Sequence, residues 1–228
     1  MRRLLLVGLA LVLAGCGSHR AAQQPATTTT QTLPRPSEAR TDLRTTTVPG
    51  SDAIVYRLRG HSFRVTLPRT WTAVDSRAVL NDPDVRKLER ENPALVPNIE
   101  ALRDSSRNLK LLAIGSDPEV TVAVTVFARR VQPIADLRRD ILHKLRKNEP
   151  VRGSTISVRP TRIGGRQALD ARFKTLSHGD EQDEIFRQVI FYVPVGDRLY
   201  ELGITMPEDK WARFGAAAVK AARTFKLS

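Results

Sequence analysis

Apolar residues alternate with polar ones in Ile54-Val-Tyr-Arg-Leu-Arg59 and again in Ser62-Phe-Arg-Val-Thr-Leu-Pro68, on either side of Gly60, which predicts a hairpin. Pro68-Arg-Thr-Trp71 reads as a turn into a short strand, Trp71 to Val74. Asp82-Pro83 and then Pro97 precede the apolar pairs Val85 and Leu88, and Ile99 and Leu102, so two helical pieces are expected there. Strand spacing returns in Leu109 to Ile114 and Glu119 to Ala128, joined across Gly115-Ser-Asp-Pro118. Both faces of the second are free of charge: Val120, Val122, Val124 and Val126 on one, Thr121, Ala123, Thr125 and Phe127 on the other. That pattern predicts a central strand covered on both sides.

Helical spacing resumes with Ile134, Leu137, Ile141 and Leu145, an amphipathic helix that must end before Pro150. Four strands follow, over Thr155 to Ile163, Arg166 to Thr175, Asp183 to Val193 and Arg198 to Met206. Gly164-Gly165 and Gly196-Asp197 supply two of the turns, and Ser177-His-Gly-Asp-Glu-Gln182 the longer connection. Thr205 with Glu208 three residues on predicts a capping box, opening a last helix whose buried stripe is Trp211, Phe214, Ala218, Ala222 and Phe225. The sum is an α+β domain over residues 53–228: a curved antiparallel sheet with helices packed on its faces.

Upstream, the pattern is of another kind. Arg2 and Arg3 precede about ten apolar residues, Leu4 to Leu13, half of the roughly 20 that a spanning helix needs, and Ala14 and Gly15 are small enough for a peptidase site. Residues 1–15 therefore read as a signal peptide. From 16 to 52 the chain is Thr, Ser, Pro, Ala, Gln and Arg with too few apolar residues to bury, the composition of a disordered tether. Leu13-Ala14-Gly15-Cys16 resembles the lipobox of bacterial lipoproteins. The resemblance implies Cys16 as the first mature residue, carrying diacylglycerol on its thiol and an acyl chain such as palmitate on its new amino group, and so an extracytoplasmic domain lipid-anchored to the cell membrane. A plain secreted chain with a stray cysteine is the competing reading. Cys16 is the single cysteine of 228 residues, so no intramolecular disulfide can form.

Charge narrows the partners. The formal charge is +13, and removing Arg2 and Arg3 leaves +11, from 35 basic against 24 acidic residues. Such an excess favours anionic surroundings, which at a membrane means lipid headgroups, an envelope polymer or an acidic envelope protein. Nucleic acid is disfavoured, because aromatics are scarce and no nucleic-acid module is recognisable. The basic residues concentrate in Arg129, Arg130, Arg138, Arg139, Lys144, Arg146, Lys147 and Arg152, on the polar side of the helix around Leu137 and Ile141. Arg138, Arg139, Lys144, Arg146 and Lys147 are the candidate face for an anionic partner. A solvated helix face, with the last-turn cations complementing the helix dipole, is the plainer account.

Catalytic and metal signals are sparse. His178, Asp180 and Asp183 are the candidate metal ligands, in a segment that lacks the ligand periodicity of a calcium loop and equally suits a solvated turn. Neither a Gly-x-Ser-x-Gly elbow nor a phosphate-binding loop occurs, no cofactor is implied, and no histidine pair has zinc-helix spacing. A non-enzymatic binding or assembly module is the leading expectation, and an envelope hydrolase or transferase the alternative.

Phe63-x-Val-x-Leu-Pro-x-x-Trp71, Tyr200-x-Leu and Ala222-x-x-Phe225 together resemble the PsbP-like superfamily, the Mog/PsbP group with its LpqN-type lipoproteins. The resemblance spans about Ile54 to Ser228. It implies the α+β fold already expected and a domain that binds or docks, while fold alone does not establish function.

Overall fold

The computed structural model describes residues 43–58, 62–75, 108–117, 119–128, 132–147, 151, 154–178 and 183–227. Its strands are β1 (Leu43–Thr47), β2 (Ala53–Leu58), β3 (Phe63–Pro68), β4 (Thr72–Asp75), β5 (Leu109–Ile114), β6 (Thr121–Ala128), β7 (Ser157–Ile163), β8 (Arg166–His178), β9 (Asp183–Val195), β10 (Arg198–Pro207) and β11 (Lys226–Leu227). Two helices stand among the described residues, α1 (Ile134–Lys147) and α2 (Trp211–Arg223), the second entered through a 3-10 turn, Glu208–Lys210. Every strand pairing is antiparallel, and the fold is largely β. One sheet runs β1-β2-β3-β11 and the other β4-β5-β6-β10-β9-β8-β7. The helical pieces expected around Asp82 and Pro97 lie outside the described residues.

The expected alternation is realised almost strand for strand. In β6, Val122, Val124 and Val126 enter the core shared with β10, while Thr121, Ala123 and Thr125 are buried on the other face. Pairing with both β5 and β10 makes β6 central. The Gly164-Gly165 turn has φ of +57° and +82°, the left-handed pair that a two-residue hairpin with native twist requires.

Two hydrophobic clusters divide the large sheet by face. The first joins Ile54, Tyr56, Phe63, Val65 and Leu67 of the small sheet to Val122, Val124, Phe191, Val193, Leu202 and Ile204 of the large one, with Ala218, Ala221 and Ala222 of α2 among them. The second gathers Leu169, Ala171 and Phe173 of β8 and Ile190 and Tyr192 of β9 around Leu137 and Ile141 of α1. Phe63, Tyr200 and Phe225, three of the residues that carry the family resemblance, meet ring to ring at centroid distances of 5.4 to 6.5 Å. Beside them the Thr66 amide donates to Thr224 Oγ1 at 2.7 Å, fastening the end of α2 to β3.

Three local expectations are corrected. Residues 43–47, expected to be tether, form a strand instead: Leu43–Thr47 pairs along β2 from Leu43↔Leu58 to Thr47↔Ile54, with Leu43 buried. Its threonines suit a strand whose outward face stays wet. The capping box does not form. Thr205 is a buried strand residue opposite Thr121 and Gln188, α2 begins without a side-chain cap, and Glu208 bonds to cations of the sheet instead. Finally, Phe225 belongs to the expected stripe but lies beyond the end of α2, which the two residues of β11 then tie to β3.

Candidate functional site

α1 forms because its apolar positions recur at helical spacing, with Asp136 in the first turn and Lys144, Arg146 and Lys147 in the last, each complementing the helix dipole. Leu137 and Ile141 are buried and orient the helix, and the candidate cations follow from that orientation. Arg139, Arg146 and Lys147 are exposed, whereas Lys144 is half-buried. The five cations do not all keep free heads. Arg138 Nε donates to the carbonyl of Val158 at 2.9 Å, which ties α1 to β7, and Arg139 pairs with Asp136 one turn back. Arg146 and Lys147 form no ion pair with the described residues, and Arg129, Arg130 and Arg152 lie outside them.

Of the candidate metal ligands, two fall among the described residues. His178 closes β8 opposite Asp183 at the start of β9, and Asp180 lies outside the described residues. Among the described residues no three His, Cys, Asp or Glu side chains are grouped to hold a metal ion. His143 is exposed on α1. Cys16 lies outside the described residues, and among them no helix is long and apolar enough to cross a membrane.

Sequence reasoning missed a group of ion pairs on the opposite face of the large sheet. Asp170, largely buried in β8, accepts two hydrogen bonds from Arg172, Nε and Nη2 each at 2.9 Å, and Arg223 of α2 comes within 3.8 Å of the same carboxylate. Arg172 is held above the usual arginine range, first by the Asp170 hydrogen bond. Glu208 accepts from Arg187 Nε at 2.8 Å and lies 3.2 Å from Lys174 Nζ. Burial pushes Glu208 up, but the hydrogen bonds from Arg187 and Lys174 outweigh it and its carboxyl ends below the ordinary value. The Arg187 guanidinium also stacks 4.8 Å from the ring centroid of Trp211. The signal for this cluster was in the sequence, since Asp170, Arg172 and Lys174 stand at period two and had to share one face. Nearby, Lys210 bonds Asp117 at 3.1 Å and also Glu119, locking the β5–β6 turn to the start of α2.

No protein-family model and no curated protein sequence matches this chain. Solved structures do. LpqN of Mycobacterium tuberculosis, a protein involved in cell envelope biogenesis, is 13% identical with a TM-score of 0.46, over 82% of this chain and 91% of its own. The solution structure of cyanobacterial PsbP (CyanoP) from Synechocystis sp. PCC 6803 is 11% identical with a TM-score of 0.52, over 80% of this chain and 97% of that protein. At that level the likeness concerns the fold alone, and the fold of this chain is similar to that of cyanobacterial PsbP.

Proposed function

We propose that the protein is a non-enzymatic binding module of the bacterial cell envelope, held at the membrane by an acylated Cys16 and meeting an anionic component of that envelope through α1. The observation that carries the docking part is the two-sidedness of α1. Its apolar side is taken up by the β8–β9 cluster, while Arg139, Arg146 and Lys147 remain exposed on the outer side. A helix lying on a sheet stands about 10 Å proud of it, so its exposed side can meet a flat anionic headgroup surface. The lipobox at residues 13–16 supports the anchor, and the Thr- and Pro-rich composition of the 26 residues between Cys16 and β1 suits a spacer between membrane and domain.

Two measurements test the two parts separately. Detergent-phase partitioning of the wild-type chain against Cys16→Ser tests the anchor, and equal partitioning refutes it. Docking is tested with the chain from Gly17 onward, which lacks both the apolar leader and the acylated cysteine, on phosphatidylglycerol vesicles at low and high salt. Arg139→Glu, Arg146→Glu and Lys147→Glu combined should weaken binding at least tenfold at low salt, and salt should weaken the wild type similarly. A triple variant that binds like its parent refutes docking through α1.

A further inference from the structure

The face of the large sheet turned away from α1 carries more cations than its carboxylates neutralise. Arg172 and Arg223 share Asp170, and Lys174 and Arg187 share Glu208. Arg159, exposed on β7, is the register partner of Asp170 and so lies on the same face. Five cations thus surround two carboxylates. Lys174 and Arg187 are moreover directly opposite one another on β8 and β9, an arrangement of like charges that works against the sheet unless something stands between them. Glu208 does so, but one carboxylate leaves each unit with an excess positive charge. The cations also remain within reach of solvent, with side-chain exposures of 48% for Arg172 and 50% for Arg223, and 35% and 31% for Lys174 and Arg187.

The shape of the place selects the partner. Along β8 the group runs from Asp170 to Lys174, about 13 Å at strand rise, and across β7 to β9 it is about 10 Å wide. It lies on the sheet floor beside α2, which Arg223 and Trp211 mark as one wall, and a packed helix rises about 10 Å above that floor. A flat bilayer is held off by such a wall. A single flexible chain with a charge on each repeat can lie along the floor and reach every cation in turn. We propose that this β7–β8–β9 shelf beside α2 binds a linear phosphodiester or polyphosphate-type polyanion, at a site separate from the α1 face. Arg172, Arg187 and Arg223 present guanidinium edges to its oxygens, and Lys174 a point charge.

Long-chain inorganic polyphosphate is the probe, titrated into the chain from Gly17 onward over a series of salt concentrations and followed by calorimetry and, in a Trp71→Phe background, by the emission of Trp211. Replacing Arg172→Gln with Lys174→Gln should weaken binding at least tenfold and reduce the slope of log affinity against log salt by roughly 1 to 1.5, since two fewer counterion-releasing contacts remain. Arg159 makes no ion pair with the described residues, so Arg159→Gln keeps the test open if the double variant melts early; it should lower the slope by roughly 0.7. The α1 triple variant should bind polyphosphate like its parent. Unchanged affinity and slope in both shelf variants overturns the proposal, as does loss of binding in the α1 variant alone, which would leave docking through α1 standing. Displacement of polyphosphate by phosphatidylglycerol vesicles also overturns it.

Discussion

Gly215→Ala sets two effects of opposite sign against each other. Inside an exposed helix this change stabilises by about 1 kcal/mol, because glycine loses the more backbone entropy on folding. In α2, however, a Cβ on residue 215 would lie 2.7 Å from Cδ2 and Cε2 of Trp211 and 3.1 Å from Cε3. The indole lies across the glycine and has to move. It is not free to move cheaply, because Arg187 stacks on it and is itself held by Glu208. Overpacking of this kind costs about 1–3 kcal/mol, and losing the cation–π contact about 0.5–1 kcal/mol more. The expected net result is a destabilisation of about 1–2 kcal/mol. Urea unfolding in a Trp71→Phe background, where Trp211 is the sole indole, should show this together with a shifted emission maximum. With Trp211→Ala present, the same glycine change should recover its gain of about 1 kcal/mol. Stabilisation by Gly215→Ala with unaltered emission would refute the packing of the indole on the helix.

Two more outcomes follow from the fold. Gly164→Ala should destabilise well beyond Gly165→Ala, although both have positive φ, because only the Cβ at 164 meets backbone, the Phe225 carbonyl at 2.8 Å; equal losses in thermal melts would show that the turn does not abut β11. The carboxyls Glu208 and Glu184 should respond to pH in opposite senses. Glu208, lowered in the fold, contributes stability that is present above its unfolded value of about 4.3 and lost as pH falls through its folded one, so Glu208→Gln should cost about 1 kcal/mol at pH 7 and progressively less as the solution is acidified. Glu184 is raised, by burial first and then by Asp209, so its contribution is lost as pH rises and Glu184→Gln should stabilise at pH 7. Denaturant midpoints across pH 3 to 7 check both signs.

Much of the fold was legible because its strands alternate cleanly. The uncharged faces of Thr121–Ala128 announced a central strand, and Gly164-Gly165 a hairpin, since both signals are local. What escaped is decided at long range. Leu43–Thr47 is polar enough for a tether and becomes a strand because β2 offers it an edge. Thr205 has the chemistry of a cap, but pairing with β6 and β9 claims it for β10. The candidate site was legible as to charge and not as to use: Arg138 carries the expected guanidinium, yet its Nε hydrogen bond goes to Val158 across the α1–β7 contact. The cation shelf needed α2 to bring Arg223 onto Asp170, a meeting that no spacing within β8 announces.

The junction of Phe63 with Phe225, braced by the Thr66–Thr224 bond across 158 positions, bears on how the chain is made. While the ribosome is still producing β9, β3 has neither β11 beside it nor the aromatic pair that covers Phe63, and a small sheet whose apolar face has nothing to pack against is marginal in water. Contacts this distant also form slowly. The small sheet therefore gains its cover and its last strand only once residue 227 has emerged. For a protein exported as proposed here, that delay is an asset: the N-terminal sheet, the part that would enter a translocation channel first, is the part the topology closes last.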